Sequence, residues 1–275
     1  MGIFILLIGN MVNSRILVYD VEKRIGGFGM YERHEQLFEL EDNCVLWKYM
    51  SFSKFVNMLS GKIYFNRLDN FEDVFEGTFP HYNAMHRDEI YGEDIIPKNI
   101  FDMMEKAMKN WLYVSCFHKN EYETAFMWKQ YADNDGIAIK TTFERLKMAF
   151  SNTKEAIYIS NVQYIDYDKE FMPEGNGMYL AVHKRKSFEP EREVRCINVG
   201  MPKSKPNPSN PRELIADINE KTPVGRFIDI DMEELIEEIY ISPYAASYIK
   251  ENVELIASKF NISAKIIQSK LFTLN

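Results

Sequence analysis

The sequence predicts an α+β fold, a mixed and mostly antiparallel central sheet with flanking helices. Short apolar strand runs recur between helical stretches whose apolar residues follow a 3.6-residue spacing. A chain of 275 residues with 46% apolar and 14% aromatic content can bury a substantial core. It shows no internal repeat and no low-complexity segment.

Residues 1–43 read as an N-terminal extension or a strand pair, Ile3 to Ile8 and Arg15 to Val21, with Gly26, Gly27 and Gly29 as a flexible connection. The run Ile3 to Ile8 is too short to span a bilayer and has no basic residue before it. Residues 44–275 read as a single α+β domain. Val45 to Met50 is a strand. Ser51 caps a helix carrying Phe52, Phe55, Val56 and Leu59, which Gly61 ends. In the strand Lys62 to Leu68, Ile63, Phe65 and Arg67 share a face. Asp69, Glu72, Asp73 and Glu76 recur at helical spacing; four acids on one face could hold a divalent cation, and capping plus a solvated face explains them equally well. Residues 79–98 read as polar and irregular, with His81 and His86 on the surface. A helix over Asn99 to Trp111, a strand over Leu112 to Phe117, a helix over Ala125 to Tyr131, a strand over Ile137 to Lys140 and a Thr142-capped helix to Phe150 follow.

Beyond these lie a strand over Ala156 to Tyr164, a mobile loop over Asp166 to Gly177 and a short helix over Met178 to Arg185. Met201 to Arg212, rich in proline, is an extended surface connection. Arg226 to Ile230 and Ile239 to Ile241 are strands. Ser242 caps a helix running to Phe260 with Ile249, Val253, Ile256 and Phe260 inward, and Ala264 to Gln268 closes the sheet.

Charge and cysteine content narrow the function. A net charge of −8 argues against a protein that wraps nucleic acid or an anionic membrane, although a local basic site is compatible with it. The three cysteines, Cys44, Cys116 and Cys196, are odd in number and set among apolar residues, as in a reduced cytoplasmic protein. Cys116 and His118 would lie side by side if their strand continues, a weak nucleophile signal.

The unusual chemistry lies between His183 and Val199. Pro190 argues against a helix there, and an extended strand from Glu191 puts Glu191, Glu193 and Arg195 on one face. Such a row is costly in an apolar interior unless its members pair.

Several motifs in series resemble one family. They are Trp47-Lys48-Tyr49, Ile63 to Arg67 leading to Phe71 to Gly77, Val114 to Phe117, Met127-Trp128 with Tyr131, Gly136 to Ile139, and Glu191 to Arg195. In order and spacing they resemble the prokaryotic and phage family called domain of unknown function 2971, over roughly Val45 to Leu271. Val74 stands where that pattern has proline. The resemblance implies a role related to abortive infection and phage conflict and names no reaction.

Phe188 to Val194 is also similar to the Glu-x-Glu element of arginine-directed ADP-ribosyltransferases. This similarity implies Glu193 as the catalytic carboxylate, Glu191 activating the acceptor, and NAD as substrate. Lys48 or Arg67 would hold the phosphates, Ser115 the ribose, and Tyr49 or Trp128 would stack on nicotinamide, with Lys186 and Arg195 adding positive charge. The departures are Lys48, where the superfamily has Arg or His, and the missing neighbours of Ser115. Two other classes fit the same residues. One is a non-catalytic binding module, for a ligand or protein partner, in which Glu191, Glu193 and Arg195 form a ladder with Arg67 or Lys186. The other is a nuclease or phosphoesterase using Asp69, Asp73 and Glu76 with Lys184 and Lys186. No histidine or further carboxylate is spaced to complete a metal shell, so no metal is predicted.

Overall fold

In the computed structural model the described residues are 31–92, 99–132, 134–200, 202–208, 210–217, 220 and 222–274. The expected strands Ile3 to Ile8 and Arg15 to Val21, and the glycine patch, lie outside them. The architecture is α+β. Nine strands of the described residues form one sheet, antiparallel except for one pair.

The first half follows the sequence pattern closely. Strand β1 (Val45–Ser51) leads into helix α1 (Phe52–Met58), which buries Phe55 and Met58, and Gly61 turns the chain at φ 83° into β2 (Lys62–Arg67). Helix α3 (Asn99–Trp111) buries Ile100, Met104, Ala107, Met108 and Trp111 on one stripe. After β3 (Leu112–Lys119), helix α4 (Ala125–Tyr131) starts where Thr124 Oγ1 accepts from the Met127 N–H. Strand β4 (Gly136–Thr142) and helix α5 (Phe143–Ala149) follow, with Thr142 as the cap.

Several expectations are corrected. Residues 79–98 include a helix, α2 (His81–Tyr91). Asp69 to Glu76 is not helical; a short 3-10 turn over Leu68–Asn70 forms instead, and Asp69, Asp73 and Glu76 pair in different directions, with Arg67, Arg185 and Arg195. The strand expected over Ala156 to Tyr164 breaks at Val162 into β5 (Tyr158–Asn161), in the main sheet, and β6 (Gln163–Ile165), which leaves it. The loop Asp166 to Gly177 is anchored: Met172, Glu174 and Asn176 are buried, and Asn83 bonds both backbone groups of Met172. The helix expected over Met178 to Arg185 is only α6 (Tyr179–Val182), after which β7 (His183–Arg185) pairs in parallel with β6. Strand β8 (Glu193–Val199) starts two residues later than expected. The proline-rich connection contributes a hairpin, β9 (Ser204–Asn207) and β10 (Asn210–Ala216).

The chain ends with β11 (Gly225–Asp229), helix α7 (Met232–Leu235), β12 (Glu238–Ile241), helix α8 (Ser247–Lys259) and β13 (Lys265–Gln268). Helix α8 starts later than Ser242, whose Oγ accepts from the Tyr244 N–H in a turn, and Phe260 faces outward. Residues 31–43 pack onto the body, with Tyr31 bridging to Ile157 and Phe38 bonded to Ser160 and Asn161. No helix among the described residues is long and apolar enough to cross a membrane.

Strand β3 is the axis of the sheet. One of its edges pairs with β8 from Leu112 to His118. The other edge is shared: β2 pairs at Tyr113 and Val114, β1 at His118 and Lys119. Between these contacts, residues 115–117 have no partner strand on that edge among the described residues. The sheet therefore divides into two wings, β2 with β11, and β1 with β4, β12 and β13. Tyr113, Phe117, Val194 and Cys196 face a core shared with α1, α5, α7 and α8. Leu112, Val114 and Ile197 face a second core with α3 and α6, and Trp47 and Tyr49 pack under α4.

Candidate functional site

Five ionisable side chains converge on the α3/α6 face. Glu193 and Arg195 of β8 stand opposite His118 and Cys116 of β3, and so share their face. Glu191 does not continue that strand. It ends a 3-10 turn over Lys186–Glu191 that contains Pro190, and Arg192 then takes a left-handed conformation at φ 41°. Two bonds fix the reversal: His118 Nδ1 donates to the Glu191 carbonyl at 2.6 Å, and the Lys119 N–H donates to the Arg192 carbonyl at 2.9 Å. The Glu191 carboxyl thereby comes back beside Glu193. Lys184 arrives from β7, and Glu76 from the segment after the Leu68–Asn70 turn.

Lys184 Nζ donates to Glu191 Oε2 at 2.5 Å and to Glu193 Oε1 at 2.6 Å. Arg195 Nε donates to Glu193 Oε2 at 2.6 Å, and its Nη1 to Glu76 Oε1 at 2.5 Å and the Ala181 carbonyl at 2.9 Å. Tyr131 Oη donates to Glu191 Oε1 at 2.9 Å, and Tyr164 Oη accepts from the Glu193 N–H at 2.7 Å. The Phe188 ring lies 4.6 Å from Lys184 Nζ. All five charged residues are buried.

Three carboxylates against two cations leave one negative charge in excess. It falls on Glu191, whose pKa burial, helped by the neighbouring Glu193 carboxylate, pushes up to about 7. Burial opposes ionisation of Glu193 as well, but the Arg195 and Lys184 charges outweigh it and hold that carboxyl well below the usual range. Burial also works against the Lys184 ammonium, and the Glu193, Glu76 and Glu191 carboxylates together outweigh it and raise its pKa. Two adjacent carboxyl groups thus titrate far apart, the pattern that separates a proton carrier from a fixed anion. Glu76 Oε2 and Arg195 Nη2 are buried and make no hydrogen bond with the described residues.

The other predicted residues distribute unevenly. Lys48 lies on the opposite face of the sheet from Glu193, the face it shares with Leu46 and Met50 of the larger core. Its Nζ fills the division between the wings, donating to Ser115 Oγ and the Cys116 carbonyl, both at 2.9 Å. Lys48, Tyr49 and Ser115 line a cleft of about 390 Å³ there, and Tyr131, which bonds Glu191, lines it too. The remaining expectations are not met. Trp128 is fully buried, with Nε1 donating to Glu123 Oε2 at 2.7 Å, so it offers no stacking surface. Arg67 is taken up by Asp69 at 2.6 Å and by the Thr222 carbonyl, away from the acidic pair. Lys186 is exposed; the 3-10 turn beginning there directs Lys184, two residues earlier, to the carboxylates instead.

The four acids separate as well. Asp69 pairs with Arg67, Asp73 with Arg185 at 2.7 Å, Glu76 is buried on Arg195, and Glu72 is exposed. Burial drives the Cys116 thiol upward, with Glu193 adding to it, which removes the thiolate a nucleophile needs. Glu76 reaches Arg195, and Tyr164 reaches Glu193, only through tertiary folding, and no local signal connects them.

A family model described as protein of unknown function (DUF2971) matches residues 127–196. The matched span contains Tyr131, Lys184, Glu191, Glu193 and Arg195, and leaves out Lys48, Glu76 and Ser115. No curated protein and no solved structure matches the chain.

Proposed function

We propose that this chain transfers a glycosyl group from NAD, in the manner of an ADP-ribosyltransferase-like enzyme, with Glu193 and Glu191 as its working pair. The observation that carries this reading is the shared Lys184: one ammonium holds two carboxyl groups together, yet Glu193 stays ionised while Glu191 titrates near 7. In the reaction the bond from ribose to nicotinamide breaks and its electron pair leaves with nicotinamide. The oxocarbenium character that develops is stabilised by the Glu193 carboxylate. The acceptor nucleophile forms the new bond, and its proton passes to Glu191, whose pKa suits a base at neutral pH. The cleft at Lys48, Tyr49 and Ser115 is the place for the donor, with Tyr131 as the link to Glu191. The setting implied by the family resemblance, phage defence or a toxin-like role in the cytoplasm, belongs to the same proposal.

A second reading, a non-catalytic binding module with a structural ladder, is favoured by one observation. Every carboxylate of the cluster already has a cation of the same chain beside it, and little of the cluster reaches solvent.

The deciding experiment incubates the full chain with NAD and a cell lysate and follows nicotinamide release and label transfer. Glycosyl transfer predicts release that Glu193→Gln reduces by about a hundredfold or more, with the melting temperature within a few degrees of the parent. No release by the parent protein would leave the ladder as the reading.

A further inference from the structure

The cleft between the wings has a charge pattern that the acidic pair does not explain. Lys48, Lys54 and Lys62 line it, and among the described residues no aspartate or glutamate does, in a chain whose net charge is −8. Among the described residues Lys48 has no carboxylate within ion-pair distance: its Nζ rests on a hydroxyl, a carbonyl and the Phe117 ring at 4.7 Å. Burial depresses its pKa, and Lys54 is near enough to add repulsion. Asp229 stands across from Lys62 in the strand register but does not line the cleft.

The outer wall is aromatic. Tyr64 of β2 and Phe227 of β11 lie with ring centroids 5.2 Å apart, and both are exposed, at 42% and 51%. The Tyr64 ring is held against the strand by Gly225, where an added Cβ would come within 1.9 Å of the Tyr64 hydroxyl oxygen. An aromatic side chain fixed in place but open to solvent suits stacking on a flat ring. The volume, about 390 Å³, falls in the usual range of small-molecule sites.

We propose that the outer half of this cleft, built by Lys54, Lys62, Tyr64 and Phe227, is a subsite for a flat heterocycle carrying a diphosphate, with Lys48 and Ser115 receiving the charge at the inner end. The proposal deepens the glycosyl-transfer reading by assigning the second nucleotide half of the donor, but the cleft alone carries it. Cationic side chains without acidic neighbours lose repulsion when a polyanion binds, and the effect weakens with salt.

The test titrates the full chain calorimetrically with ADP, adenosine and inorganic pyrophosphate. ADP lacks the nicotinamide bond, so its binding is independent of the chemistry at Glu193. The expected result is that ADP binds at least tenfold tighter than adenosine or pyrophosphate, that Lys54→Glu with Lys62→Glu weakens ADP at least tenfold at an unchanged melting temperature, and that Tyr64→Ala narrows the gap between ADP and pyrophosphate. The proposal is overturned if ADP binds no tighter than pyrophosphate, or equally well to the double lysine variant. If ADP binds as expected while NAD stays intact, the subsite stands and the glycosyl-transfer reading fails.

Discussion

The two charged regions of this protein lie close together and are built on opposite principles. In the cluster around Glu193, cations and carboxylates are buried against one another until little charge remains; in the cleft, three lysines share a wall with no acid among the described residues. Burial explains the difference. On the α3/α6 face a lone charge would cost several kcal/mol, so each is matched and the surplus is removed by protonating Glu191. In the cleft Lys54 and Lys62 are exposed to water and the fold can leave them unmatched, while Lys48, set deeper, rests on a hydroxyl and a carbonyl. A matched cluster sets proton affinities, whereas an unmatched one attracts something from outside.

The contrast can be broken most forcefully at Arg195. Arg195→Met strips both Glu193 and Glu76 of their guanidinium inside the protein and is expected to cost about 3–5 kcal/mol in urea unfolding. The pH dependence comes next. Glu191 is raised from 4.5 to about 7 in the fold, so its contribution to stability is present below about 4.5 and is lost as pH rises through about 7. Glu193 is depressed, so its contribution is present above about 4.5 and lost as pH falls. Thermal melting followed across this window should show the alkaline decline in the parent protein and not in Glu191→Gln. If Glu191 is the base, kcat/KM for NAD rises through the same pH and that titration disappears in the variant.

Smaller effects sharpen the comparison. Thr124→Ala removes the cap of α4, the helix whose Tyr131 reaches Glu191 from the cleft, and should cost about 1 kcal/mol in the same unfolding assay. Lys48→Met should change stability least, by less than about 1 kcal/mol, because the loss of two hydrogen bonds is offset by relief of a desolvated ammonium with no carboxylate partner. The same substitution should weaken ADP binding markedly in calorimetry. A loss of stability at Lys48 comparable to that at Arg195 would show that the cleft lysine is structural.

Much of the frame was legible because local rules decide it. Phe52, Phe55 and Gly61 specify α1 and its end, and the stripe through Met104, Met108 and Trp111 specifies α3 almost to the residue. The adjacency of Glu191, Glu193 and Arg195 was legible too, but for an incomplete reason. A continuous strand was expected, whereas the carboxyl groups meet through a left-handed residue at Arg192 secured by His118, which sits far away in sequence. The choice of Lys184 over Lys186 depends on where the 3-10 turn begins, and the recruitment of Glu76 depends on long-range packing. Neither leaves a periodic trace. Arg67 was expected inward from its alternation with Ile63 and Phe65, yet Asp69, two residues on, captures it at the end of its strand.

The forked edge of β3 has a mechanical consequence. The two arms of the sheet are joined there, through helix α1 and through the core that both cover, so the gap between them is braced from one face and bridged on the other only by the few hydrogen bonds at Val114 and His118. A molecule seated across it would cross-brace the arms, and amide exchange in β2 and β11 would slow on binding even though most of those amides never touch it.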